Sequence, residues 1–231
     1  MKKVLIIETN IDHYIGTTDL TGLWLGEAAE FADELQKEKI QVDYVSPKGG
    51  FVPLDPRSMK YSDQAILAIY ESEDFVSRAL SNTLRPDQVN PAEYAAIYYT
   101  GGHGVMWDFP DNRELQQIAL EIYSQKGYIT SVCHGIAGLL NIKDKSGKYL
   151  IAGKTITGFT TAEEILAGKK AVVPFLNKKV AEKRGAHFQK KRFYRDFAVK
   201  DGQLITGQNP FSVRSVARLL INELKRSEQK E

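Results

Sequence analysis

Short apolar runs along the chain alternate with longer segments in which apolar residues recur every three to four positions. The first pattern is typical of buried strands, and the second is typical of one face of a helix. Strands are predicted at 4–9, 41–46, 95–100 and 128–132, a strand–helix passage at 154–167, and shorter strands at 186–189, 196–199 and 203–206.

Three helices are predicted from their apolar stripes, at 25–35, 115–123 and 213–224. Asp111 and Glu114 resemble a capping box before the second of these helices. Asn209 and Pro210 suit the cap and the first position of the third. Less regular helices are predicted at 63–71, 74–82 and 175–184.

The alternation of strands and helices predicts an α/β fold, a doubly wound, flavodoxin-like and mostly parallel sheet with helices on both faces. A length of 231 residues suits one large domain of this class. In such sheets the site lies beyond the carboxyl ends of the strands. We therefore expect the functional site in the loops that follow Thr9, Thr100 and Val132.

The composition argues against several classes of protein. The 31 basic and 29 acidic residues nearly cancel, so no charge excess points to nucleic acid or to a membrane surface. The apolar run Val4–Ile7 is too short for a signal peptide, and no segment approaches the ~18 apolar residues of a membrane span. We expect a cytoplasmic protein. A single cysteine, Cys133, excludes internal disulfides and multi-cysteine zinc sites.

Cys133 follows the fourth predicted strand directly, and His134 and Gly135 come next, before small residues that start a helix. This order resembles a nucleophile elbow, in which a tight strand-to-helix turn lifts the nucleophile out of the sheet. The start of a helix favours an anion, so we expect the pKa of this thiol to be lowered. A buried structural cysteine is the alternative, which the position at the strand end disfavours.

The loop after the third strand reads Gly101-Gly102-His103-Gly104. Such a loop can turn its backbone N–H groups toward an incoming oxygen, so the N–H groups of Gly102 and His134 are candidates for an oxyanion hole. A flexible glycine turn is the alternative. The glycine patterns of phosphate and dinucleotide loops do not occur in the sequence, which argues against nucleotide binding.

Two sets of carboxyl groups lie near the expected site. Glu27 stands at the start of the first helix, either as an acid–base group beside the thiol or as one more residue of a polar helix face. Glu163 and Glu164 follow two threonines, where they can serve a capping box or orient an imidazole. The histidines show no metal-ligand spacing, so no metal is expected.

With these loops in place, the sequence resembles the ThiJ/PfpI superfamily, which has the class I glutamine amidotransferase-like fold. The resemblance covers nearly the whole chain, as a single domain over 1–231 with a helical insertion around 50–91. Its branch is that of the stress chaperones and glyoxalase III. The motifs that carry it are Gly26-Glu27, Gly101-Gly102-His103-Gly104, Asp108-Phe109-Pro110, Val132-Cys133-His134-Gly135, Thr157-Gly158-Phe159-Thr160, Val173-Pro174-Phe175-Leu176 and 201–210.

The resemblance implies roles for individual residues. Cys133 is the nucleophile, Glu27 contacts its sulfur, and His134 is the general base. Glu164 pairs with His134 in this interpretation, although the adjacent Glu163 stays open. The implied activity is that of a glutathione-independent glyoxalase, which converts methylglyoxal or a related 2-oxoaldehyde to a 2-hydroxy acid. It needs no cofactor, and the implied assembly is a homodimer.

Three other functions stay open at this point. The first is a holding chaperone or protein deglycase, and the second is a cysteine peptidase or amidase. The third is a peroxide sensor, because an exposed thiol of low pKa oxidises readily. The downstream His-x-Glu pair of the glutamine amidotransferases is missing from the sequence, which argues against amidotransferase activity.

Overall fold

The structure is a computed structural model that describes residues 3–229. Its main sheet has six strands in the order β2-β1-β3-β4-β8-β7, and all neighbours are parallel except β7 and β8. β5 and β6 form a small parallel sheet of their own. The strands are β1 Lys3–Ile7, β2 Val42–Val45, β3 Tyr94–Tyr99, β4 Tyr128–Val132, β5 Thr155–Ile156, β6 His187–Phe188, β7 Ala198–Asp201 and β8 Leu204–Gly207.

Eight α-helices lie within the described residues, with shorter helical turns between them. They are α1 Leu25–Lys37, α2 Gln64–Tyr70, α3 Val105–Asp108, α4 Arg113–Ser124, α5 Ala137–Leu140, α6 Thr161–Leu166, α7 Asn177–Lys183 and α8 Val213–Glu228. The turns are 3₁₀-helices at Ser58–Tyr61, Pro86–Gln88, Pro91–Glu93, Cys133–Ile136 and Pro210–Ser212, and a π-helix at Phe75–Ser81.

Both faces of the sheet are covered, as the apolar runs of its strands require. In β1, Val4 and Ile6 point to one side and Leu5 and Ile7 to the other, and all four are fully buried. Helices α1 and α8 pack on the first side, and α4 packs on the second. The fold class predicted from the sequence is confirmed.

The sequence placed most elements within one to three residues of their bounds, and the differences are local. Asn112, not Asp111, caps α4, because its side chain accepts the N–H of Leu115. Asn209 caps a 3₁₀-turn over Pro210–Ser212, and the last helix begins only after this turn. The predicted helix at 74–82 is a π-helix.

The single domain over 1–231 with an insertion around 50–91 stays a prediction, and its outermost residues fall outside the described range. Between residues 58 and 93 the chain forms short helical segments and two isolated β-bridges, at Thr83 and Leu84. Within residues 3–229, no helix has both the length and the apolar character that crossing a bilayer requires.

Candidate active site

Three loops meet at one edge of the sheet. Strands β1, β3 and β4 are neighbours and run parallel, so the loops after Ile7, Tyr99 and Val132 leave the sheet side by side. The start of α1 brings Glu27 to this edge, and the start of α6 brings Glu164. The topology therefore gathers residues that are far apart in the sequence.

Cys133 has the backbone conformation of a nucleophile elbow. Its φ is +56°, in the left-handed region that residues with a Cβ seldom adopt. It begins the 3₁₀-turn Cys133–Ile136, which continues into α5. The side chain is buried, and the backbone N–H of His134 donates a hydrogen bond to its sulfur. The predicted strand–nucleophile–helix order is present, with a tight 3₁₀-turn before the α-helix.

Glu27 lies inside the site and not on the polar face of α1. It is fully buried, and its Oε2 accepts the N–H of Gly101 at 2.6 Å. Its carboxyl also contacts the Cys133 thiol. Burial raises the pKa of Glu27 to about 8, against the opposing effects of the nearby thiol and of the Gly101 N–H. At neutral pH Glu27 is therefore protonated in most molecules, and its carboxyl lies beside the sulfur.

The expectation of a lowered thiol pKa is wrong for this structure. Burial raises the pKa of the Cys133 thiol well above its usual range, and the Glu27 carboxyl adds to the rise. The His134 N–H acts in the predicted direction, but it does not offset the loss of hydration. The resting nucleophile is therefore a thiol that needs a base when it reacts.

His134 is placed to be that base. Its Nδ1 lies 3.4 Å from Sγ of Cys133, and its Nε2 lies 2.8 Å from Oε2 of Glu164. An ionised carboxylate only accepts hydrogen bonds, so it places the imidazole proton on Nε2. The lone pair on Nδ1 then faces the thiol, and the three groups form a Cys–His–Glu chain.

The choice between the adjacent glutamates has a clear structural answer, because Glu163 points away from His134. It forms a capping box with Thr160 at the start of α6. Its Oε1 accepts hydrogen bonds from the backbone N–H of Tyr194 and from the side chains of Gln208 and Asn209. Glu163 therefore joins three chain segments, and Glu164 is the partner of His134.

The glycine loop contacts the elbow closely. A Cβ added at Gly101 would lie 3.0 Å from the backbone nitrogen of His134 and 2.6 Å from Oε2 of Glu27. Gly102 has a φ of +99°, and a side chain there would collide with the carbonyl of Gly22. This packing brings Gly101 beside the backbone nitrogen of His134, and the oxyanion hole formed by Gly102 and His134 stays a prediction.

Sequence reasoning missed a second histidine in the site. His103 is buried, and its Nε2 lies 2.7 Å from Oε1 of Glu164, on the other side of the carboxylate from His134. Its Nδ1 lies 3.0 Å from Nη2 of Arg57. The position of His103 in the glycine loop after β3 was an available signal. Arg57 had none, because its loop reaches the site only through the tertiary fold.

One nitrogen from each histidine and one oxygen of Glu164 lie within 4.8 Å of one another, close enough to suggest a divalent metal. The hydrogen bonds argue against this, because each Nε2 atom faces a carboxylate oxygen. A nitrogen that donates its proton has no lone pair to give a metal. The expected absence of a required metal stays a prediction.

Phe159 completes the wall of the site, with its ring centroid 4.2 Å from that of His134.

Comparison of the chain with known families matches residues 25–223 to the DJ-1/PfpI family. The chain belongs to the DJ-1/PfpI family. This confirms the resemblance that the motifs around Glu27, Gly101 and Cys133 carried.

Relatives in the DJ-1/PfpI family extend over nearly the whole chain. Over 97% of its length the chain is 33% identical to the glutathione-independent glyoxalase HSP31 of Saccharomyces cerevisiae, 98% of which it covers. The crystal structure of glyoxalase III from Candida albicans is 30% identical, with a TM-score of 0.86 and 96% of each chain covered. The rapid encystment protein of Francisella tularensis is 34% identical, with a TM-score of 0.92 over 95% of this chain and 97% of that one.

Proposed function

We propose that this DJ-1/PfpI protein is a glutathione-independent glyoxalase, which converts methylglyoxal or a related 2-oxoaldehyde and water to a 2-hydroxy acid. The observation that carries the proposal is the chain from Cys133 through His134 to Glu164, with a protonated Glu27 on the sulfur. The names of the yeast relatives support the same activity.

The first step adds the sulfur of Cys133 to the aldehyde carbon. His134 takes the thiol proton on Nδ1, and Glu164 stabilises the imidazolium through Nε2. The carbonyl oxygen becomes an oxyanion, and the N–H groups of Gly102 and His134 are its donors. The His134 N–H is released for this task because the sulfur loses its negative charge as the C–S bond forms. Protonation of the oxygen gives a hemithioacetal.

The second step moves a proton between the two substrate carbons. Removal of the proton from the former aldehyde carbon gives an enediol, and a proton returns to the neighbouring carbon. The first carbon is thereby oxidised to a thioester and the second is reduced to an alcohol, so no external oxidant or reductant is needed. Glu27 and His134 are the two groups beside the sulfur that can carry the proton.

The last step is hydrolysis of the thioester. Water adds to the acyl carbon, the C–S bond breaks, and the products are the 2-hydroxy acid and the free thiol. His134 is placed to deprotonate the water and to return a proton to the sulfur, because its Nδ1 faces Sγ. The enzyme is thus restored without a cofactor.

The experiment that tests the proposal compares two substrate classes. Purified protein receives methylglyoxal without glutathione in one series and peptide or amide substrates in another. Lactate formation well above any release of amine supports the glyoxalase. Amine release without lactate assigns the site to a peptidase or amidase and contradicts the proposal.

Two further parts of the proposal concern the setting of the enzyme. We assign it to the cytoplasm, where an unpaired thiol stays reduced, and this rests on the single cysteine. The homodimer is implied by the family resemblance, and light scattering on the purified protein measures its mass directly.

A further inference from the structure

His103 lies between a cation and an anion. On one side Nη2 of Arg57 lies 3.0 Å from its Nδ1, and on the other Oε1 of Glu164 lies 2.7 Å from its Nε2. Only 4% of His103 is exposed, so water does not replace either contact. Its ring centroid is 4.0 Å from that of His134, and both imidazoles share the Glu164 carboxylate.

Arg57 determines which nitrogen of His103 holds the proton. A guanidinium is positively charged and has no acceptor, so it repels an N–H at the Nδ1 atom that faces it, and Nδ1 presents a lone pair. The single proton of the neutral ring then sits on Nε2 and points at Glu164. Arg57 is itself held by Asp55, whose two carboxylate oxygens accept from its Nε and Nη2 at 3.0 and 2.6 Å.

A second proton on His103 would have to sit on Nδ1, directly against the guanidinium. Burial, the nearby His134 and the Arg57 charge together lower the pKa of His103 to about 4, against the pull of Glu164. The ring therefore stays neutral through the physiological range, although a carboxylate lies beside it. Burial is the largest of these causes, and the guanidinium opposes a charge directly at Nδ1, against the favourable pairing with Glu164.

We propose that Arg57 keeps His103 uncharged, so that His103 positions one oxygen of Glu164 without neutralising it and the carboxylate charge stays available to His134. This inference deepens the proposed function, because it assigns His103 and Arg57 as positioning residues for the same site. A charged His103 would form its own ion pair with Glu164 and would repel a second charge on His134. His134 would then be a poorer acceptor for the thiol proton.

Other titratable groups also lie close to this arrangement. Tyr14 accepts from Arg57 at 2.6 Å, and Lys169 lies over the Tyr14 ring at 4.3 Å. Tyr14 also faces His103, with ring centroids 5.3 Å apart, and its hydroxyl accepts from the same Nη2 atom that lies against Nδ1. The titratable or charged groups that surround His103 and Glu164 are Tyr14, Asp55, Arg57, Cys133, His134, Lys169 and Tyr194.

The first test reads the protonation of His103 in the wild-type protein. Nitrogen-15 NMR distinguishes a ring nitrogen that has a proton from one that does not, and the chain contains only four histidines to assign. We expect a bare Nδ1 and a protonated Nε2 on His103 at neutral pH. A proton on Nδ1 would overturn the proposal, whether or not the protein acts on methylglyoxal.

The second test removes the Arg57 guanidinium from beside Nδ1 of His103. The double variant D55N/R57M deletes the buried ion pair as a unit, so no buried charge is left alone. The readout is the rate of Cys133 alkylation by iodoacetamide against pH, which needs no substrate. We expect wild-type rates near pH 8 and an additional loss of several-fold toward about pH 5, because removing the guanidinium leaves Nδ1 free to take up a proton that Glu164 stabilises.

Rescue separates this effect from general damage to the site. Adding His103→Gln to the double variant supplies an amide that donates a hydrogen bond to Glu164 and takes up no proton. The additional loss of alkylation rate at acidic pH should then disappear. Adding His187→Gln, an exposed residue of β6, should leave the loss in place. A double-variant profile that superimposes on the wild type, or a loss that His103→Gln does not remove, would contradict the proposal. If the double variant does not fold, Arg57→Lys is the alternative, because it keeps a positive charge to pair with Asp55 and removes the guanidinium from Nδ1 of His103. The same additional loss of alkylation rate at acidic pH is expected.

Discussion

Cys133 and His134 are neighbours in the chain, and yet Sγ of one and Nδ1 of the other lie only 3.4 Å apart. Successive side chains of a strand point to opposite faces, so regular β4 geometry would separate them. The positive φ of Cys133 turns the chain at this point and brings both groups to the same edge of the sheet. The local backbone thus builds the nucleophile–base pair.

This backbone turn predicts an order of stability among variants of Cys133. A residue with a Cβ at φ +56° pays about 1 kcal/mol relative to glycine. We therefore expect Cys133→Gly to unfold at higher urea concentration than Cys133→Ala, although both lose the thiol. Equal or reversed stabilities would show that the turn is not strained.

The adjacent glutamates predict opposite outcomes for the same substitution. In the wild type the Glu163 carboxylate accepts hydrogen bonds from several N–H donors. Glu163→Gln places an NH₂ group against some of these donors, so we expect a loss of roughly 2–4 kcal/mol in the free energy of unfolding. Turnover below the melting temperature should stay within a few-fold of the wild type.

Glu164→Gln should do the reverse. Its amide would face one imidazole with an NH₂ group, so one of the two rings must present a bare nitrogen there and change its tautomer. We expect turnover to fall about a hundredfold or more, with a smaller change in stability. Unfolding curves and initial rates on both variants check the pair. A Glu164→Gln protein with wild-type turnover would remove Glu164 from the catalytic chain.

Glu27 predicts a pH dependence of stability. Burial raises its pKa from the usual 4.5 to about 8, so between these pH values the folded state holds a proton that the unfolded state has lost. Its contribution is fully present below about pH 4.5 and is lost as the pH rises toward 8. Relative to Glu27→Gln, the wild type should therefore become less stable with rising pH, by up to about 5 kcal/mol.

Urea titrations of both proteins at about pH 5 and about pH 8 measure this difference. The Gln variant should also fold normally and lose most turnover, because an amide cannot carry the proton between the substrate carbons. A constant stability difference across the range would show that the Glu27 carboxyl ionises in the folded protein as it does in water.

Gly101 predicts a steric effect on the site. A methyl group at this position would lie 2.6 Å from Oε2 of Glu27 and 3.0 Å from Cβ of Cys133, and both must shift. We expect Gly101→Ala to lose at least about tenfold in turnover and about 1–3 kcal/mol in stability. Gly26→Ala is the control, since its added methyl meets only the flexible end of Ile66 at 3.3 Å. Equal effects of the two substitutions on turnover would contradict the close packing of the loop.

The sequence was sufficient to predict the sheet and its active edge because these depend on local signals. Apolar runs end at Ile7, Tyr99 and Val132, and the parallel order brings those ends together. The interpretation of Glu27 was open because a polar stripe and a buried acid look alike in the sequence. Its full burial follows from the packing of α1 on the sheet.

The remaining features of the site depend on contacts over long distances in the chain. Arg57 reaches His103 across 46 positions, and no periodic pattern records that contact. The thiol pKa was mispredicted because the elbow indicates a helix start but not how deeply the sulfur is buried. Glu27 and the glycine loop pack against Cys133 only in the folded chain.

The central claim is that Cys133 converts a 2-oxoaldehyde by covalent catalysis with His134 and Glu164. Its most direct test is lactate formation from methylglyoxal without glutathione, by the wild type and by Cys133→Ala at matched concentrations of folded protein. The account predicts lactate from the wild type and none above background from Cys133→Ala. Equal lactate from both proteins, or none from the wild type at micromolar enzyme, would contradict it.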